Sequence, residues 1–301
     1  MAARHDRRCG PAVLATAAML ATPLFALAQR SPAAGGQKTT NAASSQQAGT
    51  ASVQGYDLAT LNKDSLARID NVGVRLDLNL FRLDPKFLDA LGSMRYFVVL
   101  NNCKAAGNID QRIVKVLDNE LDYPKVSAYY KSRAASTLEN LPTTATISIA
   151  GASLGPYDTA KKVFPILYGR RKLEFTSVRV NADRSKLSNF CLDAMRQILN
   201  APEIPNLYDL TFTPTLAFTE LPMDEASART YIEHTNEAQR VIAFDIDFRI
   251  LDSPPQITWM NPSTPVAAMT AQIEKITIVK GYTGQKVAVL YERPTQNAKL
   301  P

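Results

Sequence analysis

The sequence predicts an α+β fold in which a helical N-terminal part packs on a mainly antiparallel C-terminal sheet. Apolar residues between 56 and 140 recur mainly at helical spacing, whereas from Leu141 onward they alternate with polar residues as in strands. Helical patterns that precede strand patterns are typical of α+β proteins. The chain has 301 residues, of which 46% are hydrophobic, so it can bury a core. We interpret residues 56–294 as one domain, helical over 56–140 and strand-rich over 141–294.

Proline marks helix starts in the part between residues 56 and 140. Asp84 before Pro85 combines an N-cap side chain with proline in the first turn. Pro124 is expected to begin another helix. Between residues 74 and 80, by contrast, apolar side chains occupy every second position, which predicts a short strand.

Alternating patterns dominate after residue 141. Along residues 241–251, apolar side chains face one way, and Asp245, Asp247 and Arg249 face the other, which predicts a half-buried strand. A hairpin-like turn at 281–284 joins the last two predicted strands. The predicted strands cover 146–149, 173–180, 207–218, 241–251, 273–279 and 287–291, and a helix is predicted over 187–199.

The first 28 residues have the pattern of an export signal. Three arginines precede an apolar stretch over residues 11–27, and small residues then provide a signal peptidase site. Cleavage would fall between Ala28 and Gln29. The apolar stretch is short for a span of about 20 residues, which disfavours the alternative of an uncleaved membrane anchor. We therefore expect a periplasmic or extracellular protein with no transmembrane span after cleavage.

The net charge of +6 is concentrated outside the predicted domain. Residues 1–28 and 29–55 each carry a net charge of +2, so the remainder is close to neutral. Residues 29–55 consist largely of Ala, Gly, Ser, Thr and Gln, a composition that predicts a flexible linker. Residues 295–301 are interpreted as a tail. Export and a near-neutral domain disfavour nucleic acid as a partner.

Charge is distributed unevenly within the predicted domain. Residues 157–186 have a net charge of +5, and residues 209–252 have a net charge of −6. One interpretation is that the basic segment binds an anionic surface component, such as a glycan or a lipid headgroup. The alternative is that the two segments neutralise each other in the fold. The candidate patch for an anionic partner consists of Lys161, Lys162, Arg170, Arg171 and Lys172.

A Gly-x-Ser-x-Gly segment is the main candidate for catalysis. Gly151, Ser153 and Gly155 match the nucleophile elbow of hydrolases, in which the serine lies on a strand-to-helix turn. His234 is the only histidine after the predicted signal. Proline at position 156 follows the motif where the helix should run, which favours a glycine-rich connection instead.

The remaining candidate residues are two cysteines and one tryptophan. Cys103 and Cys191 are the only cysteines after the predicted signal, and they either form a disulfide in an oxidising compartment or remain buried thiols. We interpret Trp259 as a core or hairpin-packing residue, although an exposed position would make it a contact candidate. No zinc-ligand cluster or nucleotide-binding motif is present, so no metal or cofactor is expected.

Two further segments carry a resemblance. Residues 154–158, which read Leu-Gly-Pro-Tyr-Asp, and residues 221–226, which read Leu-Pro-Met-Asp-Glu-Ala, resemble segments of uncharacterised exported bacterial proteins. That family is a domain of unknown function, so the resemblance implies an envelope protein but no activity and no site residues. Residues 156–160 and residues 222–226 both read Pro-x-Asp-x-Ala, which we interpret locally as a turn or helix start.

These observations predict a non-catalytic exported envelope protein that acts by binding or assembly, with an envelope protein or an anionic surface component as its partner. The alternative is an envelope hydrolase that uses Ser153 in the Gly151-x-Ser153-x-Gly155 segment. An unpaired sheet edge or an apolar patch would favour a partner surface. Convergent catalytic side chains would favour the enzyme.

Overall fold

A computed structural model describes much of the chain after residue 50. Cys103, Cys191, Arg170 and Arg171 lie outside the described residues, as do the predicted export signal, most of the predicted linker, the helix predicted over 187–199 and the tail. The described residues are 52–53, 56–57, 71–102, 115–169, 172–182, 204–236, 240–262 and 264–294.

Helices form most of the described structure between residues 71 and 140. They are α1 (Val72–Leu83), a 3₁₀ helix (Pro85–Asp89), α2 (Leu91–Asn102) and α3 (Tyr123–Glu139). The predicted start at Asp84 is confirmed, since its carboxylate accepts a hydrogen bond from the Lys86 backbone N–H at 3.3 Å, but the element is a short 3₁₀ helix. The helix predicted at Pro124 is confirmed as α3, with that proline in its first turn.

The strand predicted over residues 74–80 is wrong, because these residues belong to α1. This helix is buried on most sides, but Arg75, Asn79 and Arg82 do form a polar stripe at helical spacing, a signal that the alternating apolar residues obscured. Val74 and Leu78 face a cluster of helical side chains, whereas Leu76 and Leu80 face the sheet. Two apolar faces on one helix produce an alternating pattern that resembles a strand.

Most described strands belong to one mixed sheet. The short strands β1 (Ser52–Val53) and β2 (Tyr56–Asp57) pair only with each other among the described residues. Another helix of the described part, α4 (Glu225–Glu233), lies between the strands at Glu220–Pro222 and Val241–Ile250. The other strands are β3 (Thr144–Leu154), β4 (Val163–Leu167), β5 (Leu173–Asn181), β6 (Leu207–Phe218), β7 (Glu220–Pro222), β8 (Val241–Ile250), β9 (Gln256–Asn261), β10 (Thr264–Lys280) and β11 (Lys286–Glu292).

The strand order in the sheet is β5-β6-β10-β8-β3-β4-β7, with β9 and β11 also paired to β10. The pair between β6 and β10 is parallel, and the other described pairs in the sheet are antiparallel. The α+β class is therefore observed, with a mixed sheet. Five predicted strand segments fall within β3, β5, β6, β10 and β11, and the segment predicted over 241–251 exceeds β8 by one residue, Leu251.

The 17-residue strand β10 organises the middle of this sheet. Ala271 pairs with Phe212 of β6 and with Ile250 of β8, so these two strands lie on opposite sides of β10. Residues 266–268 of β10 pair with both β6 and β9, so β9 lies on the same side as β8. Strand β9 therefore continues the line of β8 along β10, beyond the end of β8.

Two apolar clusters form the core, and α1 contributes to both. The first cluster contains buried side chains of α1, α2 and α3, and the second lies between α1, α4 and the sheet. Asp77 of α1 is fully buried, and its carboxylate accepts hydrogen bonds from the Tyr96 and Tyr208 hydroxyls, each at 2.6 Å. Because Tyr96 lies on α2 and Tyr208 on β6, Asp77 ties the helices to the sheet.

None of the helices in the described part of the chain combines the length and the apolar character that a membrane span requires.

Candidate functional site

Ser153 lies inside a strand. It belongs to β3 and pairs with Leu167 of β4 and Val241 of β8. Gly151 has a φ of 111° at a β-bulge in β3, which explains a glycine at this position. The chain after β3 continues to β4, so Ser153 is not at a strand-to-helix turn. His234 is exposed just after α4.

The acidic residues on the polar face of β8 are held by cross-strand hydrogen bonds. The Ser148 hydroxyl donates to Asp245 at 2.5 Å, and the Thr146 hydroxyl donates to Asp247 at 2.6 Å. Ile246 and Phe248 on the opposite face are fully buried, which confirms the predicted half-buried strand. Among the described residues, no group of His, Cys, Asp and Glu side chains is arranged to hold a metal ion.

The basic and acidic segments meet in the fold. Arg179 of β5 donates two hydrogen bonds to Asp209 of β6, each at 2.7 Å. These bonds lower the pKa of the Asp209 carboxyl and raise that of the Arg179 guanidinium. Lys161 and Glu220 form a second contact, with 3.5 Å between Nζ and Oε1. The two segments therefore neutralise each other at least in part.

The candidate patch for an anionic partner is only partly described. Lys161 already faces the carboxylate of Glu220. Lys162 has a φ of 57° in the turn before β4, where its carbonyl accepts a hydrogen bond from the Met223 backbone. Lys172 is exposed just before β5. Lys161 and Lys162 therefore lie in the turn before β4, and Lys172 lies directly before β5.

The interpretation of Trp259 as a core or hairpin-packing residue is wrong. Trp259 lies in β9 with 58% of its surface exposed, and the neighbouring Met260 is 57% exposed. Trp259 is also the only tryptophan of the chain. Tryptophan is enriched among residues that dominate binding energy at protein interfaces. The structure therefore makes Trp259 the contact candidate that the sequence had left as the alternative.

Strand β9 presents an unpaired edge. In the described structure it pairs with β10 on one side only. Its sequence, Gln-Ile-Thr-Trp-Met-Asn, carries no charge and no internal proline. Edge strands of monomeric proteins are usually protected by charged side chains, proline or a bulge, because exposed backbone N–H and C=O groups invite another strand. β9 lacks the charge and the proline, and its one register shift lies at Met260 next to the hairpin turn, so the edge over residues 256–259 can accept an additional strand.

The hairpin of β9 and β10 is anchored to the core by one side of β9. Ile257 packs against the sheet cluster and pairs with the buried Ala267 of β10. Pro265, opposite Trp259, is also buried. The exposed side chains therefore stand on a strand whose position is set by β10. We refer to the exposed edge of β9, with Trp259 and Met260, as the β9 edge.

Comparison of this chain with family models, with curated proteins and with solved structures finds no match. The geometry of the described residues is therefore the basis for a functional proposal.

Proposed function

We propose that this chain is an exported, non-catalytic envelope protein that acts by binding, and that an extended segment of a partner protein pairs with the β9 edge. The observation that carries this proposal is the uncharged strand β9, which pairs on one side only in the described part of the chain and exposes the side chains of Trp259 and Met260. The export pattern of residues 1–28 supports the envelope location. We further propose that residues 56–140 as a whole form the helical part that packs on the sheet.

Strand addition at β9 is chemically suited to a polypeptide partner. Backbone hydrogen bonds along an open edge supply affinity for any extended chain, and side chains beside the edge supply specificity. Trp259 and Met260 offer large exposed apolar surfaces beside the edge, next to the register shift at Met260. We therefore expect the partner segment to carry apolar side chains at matching positions.

Photo-crosslinking tests this proposal. A benzophenone amino acid is placed at Trp259 in the full chain, expressed in bacterial cells, and covalent adducts in the envelope fraction are identified by mass spectrometry. The matched control places the same group at Tyr282, which is 78% exposed in the turn after β10. We expect one specific adduct at position 259, with the crosslink in an extended segment of another protein, and none at position 282.

Other outcomes contradict the proposal. Equal adducts at both positions, or none at position 259, would show that the β9 edge is not a binding surface. An adduct between two copies of the chain would show that the chain self-assembles through the β9 edge and does not bind a different partner protein there. Labelling of Ser153 by a fluorophosphonate would contradict the non-catalytic part of the proposal and favour the hydrolase.

The intrinsic fluorescence of Trp259 gives a second measurement. Because it is the only tryptophan and is exposed, its emission should be that of a solvated indole. We expect addition of the identified partner segment to shift this emission to shorter wavelength. The variant Met260→Lys should weaken that response, since a charge beside the edge opposes strand pairing.

A further inference from the structure

Arg240 is a buried cation that has no carboxylate partner among the described residues. Arg240 is the residue directly before β8, and only 9% of its surface is exposed. Its Nη1 donates one long hydrogen bond, 3.5 Å, to the Gly155 carbonyl, and its Nε has no hydrogen-bond partner in the described structure. Burial of a charge without a paired counter-charge costs several kcal/mol. An arginine in this position therefore requires an explanation other than stability.

A second unpaired polar group lies close to Arg240. Tyr231 of α4 is 8% exposed, and its hydroxyl has no hydrogen-bond partner among the described residues. The Lys280 ammonium lies over the Tyr231 ring, 5.9 Å from its centre. Lys280 pairs with Ile242 of β8, two residues from Arg240, so the Lys280 and Arg240 side chains lie on the same face of the sheet. Burial raises the pKa of the Tyr231 hydroxyl, and the charge of Arg240 partly opposes this effect.

The elements that carry these side chains are joined by backbone hydrogen bonds. The Leu154 N–H donates to the Arg240 carbonyl at 3.0 Å, which fixes the end of β3 beside the start of β8. The Gly281 N–H donates to the Val241 carbonyl at 2.9 Å, which holds the end of β10 beside the same strand. Tyr231 is placed by an edge-on contact with Phe164, whose ring centre is 5.6 Å away. The arrangement is therefore preorganised.

We infer that Arg240, Tyr231 and Lys280 form a binding site for an oxyanion, the phosphate or carboxylate group of a small ligand. The guanidinium supplies an Nε–H without a partner in the described structure and an Nη1 with one long hydrogen bond, and its planar set of donors suits the paired oxygens of such an anion. The Tyr231 hydroxyl donates to the same anion. Lys280 contributes a second positive charge. The bound anion satisfies the buried donors that the protein leaves unpaired, and this site is independent of the β9 edge.

Thermal unfolding of the full chain in the presence of inorganic phosphate tests the site. Phosphate is titrated at constant ionic strength with sodium chloride as the balancing salt, and sodium acetate is titrated in a parallel arm. A ligand that binds the folded state alone raises Tm with its concentration. We expect Tm to rise with at least one of the two anions, and the stronger response identifies a phosphate or a carboxylate ligand.

Two variants and a matched control locate the response. In Tyr231→Phe the ring contact with Phe164 is retained and only the unpaired hydroxyl is lost, so we expect normal folding and about tenfold weaker anion affinity. In Arg240→Met the anion response should be lost, while Tm in anion-free buffer should equal or exceed that of the unmodified protein. The control Arg229→Gln removes an exposed arginine of α4, the helix that also carries Tyr231. The Tm of this control should rise with the anion as much as that of the unmodified protein.

The inference is overturned if neither anion raises Tm, or if Tyr231→Phe responds as strongly as the unmodified protein. It is also overturned if Arg229→Gln weakens the response as much as Arg240→Met, since that result indicates general charge screening. If Arg240→Met fails to fold, the comparison of Tyr231→Phe with Arg229→Gln decides the question alone.

Discussion

Asp77 is the buried carboxylate on which the contact between helices and sheet depends. Its oxygens accept hydrogen bonds from the hydroxyls of Tyr96 and Tyr208, one from α2 and one from β6. Hydrogen bonds to a charged acceptor are stronger than those between neutral groups. A single side chain therefore fixes the relative position of three elements.

We expect Asp77→Ala to destabilise the protein by about 2–4 kcal/mol, because two buried tyrosine hydroxyls would lose an acceptor. Urea unfolding followed by circular dichroism measures the change. The exposed Asp118 provides the control, and Asp118→Ala should change the free energy of unfolding by less than about 0.5 kcal/mol. Equal effects of the two substitutions would contradict the assigned role.

Exposure and pairing of single residues were the hardest features to predict from the sequence. Trp259 is predicted to pack because tryptophan is usually buried in large part, whereas its exposure follows from the position of β9 at the end of a sheet. Arg240 lies between Gln239 and Val241 and resembles an ordinary surface arginine in sequence. Its burial involves residues that are distant in the chain, since its Nη1 donates to the carbonyl of Gly155, which follows β3 and lies 85 positions away.

Helix α1 approaches the loop after β5 unusually closely. A Cβ atom built on Gly73 would lie 2.9 Å from the Cα atom of Ala182. Contacts of this kind with backbone atoms are not relieved by rotation of a side chain. Glycine at position 73 therefore permits α1 to sit against the end of β5.

We expect Gly73→Ala to destabilise the protein by about 1–3 kcal/mol, although alanine normally stabilises a helix interior by about 1 kcal/mol. The reason is the short distance between the new methyl group and the Ala182 backbone. Chemical denaturation of both proteins gives the difference in unfolding free energy. A more stable variant would show that α1 has room to move away from Ala182.

Strand β8, which has one solvated face, was predicted well, whereas the exposed strand β9 and the largely buried helix α1 were not. In β8, alternation of buried phenylalanine and isoleucine with polar residues matches the period of a strand. In α1, apolar residues face two clusters and alternate as in a strand, and the helical spacing of Arg75, Asn79 and Arg82 was the signal that the prediction missed. Local chemistry was also informative: Asp158 accepts hydrogen bonds from turn amides, and Asp224 caps α4, as the shared Pro-x-Asp pattern predicts.

At the scale of the whole molecule, the pairing of Arg179 with Asp209 explains part of the uneven charge. The two residues come from segments of opposite net charge and meet across β5 and β6. The sequence left open whether these segments face solvent separately, since charge patterns do not fix which strands pair. In the described strands, the register of β5 on β6 places Arg179 opposite Asp209, so the two segments contact each other there.

The pair predicts a defined dependence of stability on pH. Because the hydrogen bonds from Arg179 lower the pKa of the Asp209 carboxyl, they stabilise the fold above the ordinary Asp pKa of 3.8, and this contribution is lost as the pH falls through the lowered value. In Arg179→Gln, the pKa of Asp209 should rise toward its ordinary value. Carboxyl-carbon NMR titration measures this pKa directly.

The stability difference between the unmodified protein and Arg179→Gln should be constant near neutral pH and should shrink below pH 3.8. A control variant, Arg229→Gln, removes an exposed i,i+4 pair and should leave the pKa of Asp209 unchanged. A difference that grows as the pH falls would contradict the assignment.

The double-sided packing of α1 also bears on how this protein loses its structure. Leu76 and Leu80 belong to the sheet cluster, while Leu78 and Phe81 belong to the helical cluster, so the same helix closes both. Unfolding of either cluster exposes one side of α1 to water and removes packing contacts from the other cluster. We therefore expect the helices and the sheet to melt in one cooperative transition, and partial unfolding to begin at elements that contact a single cluster.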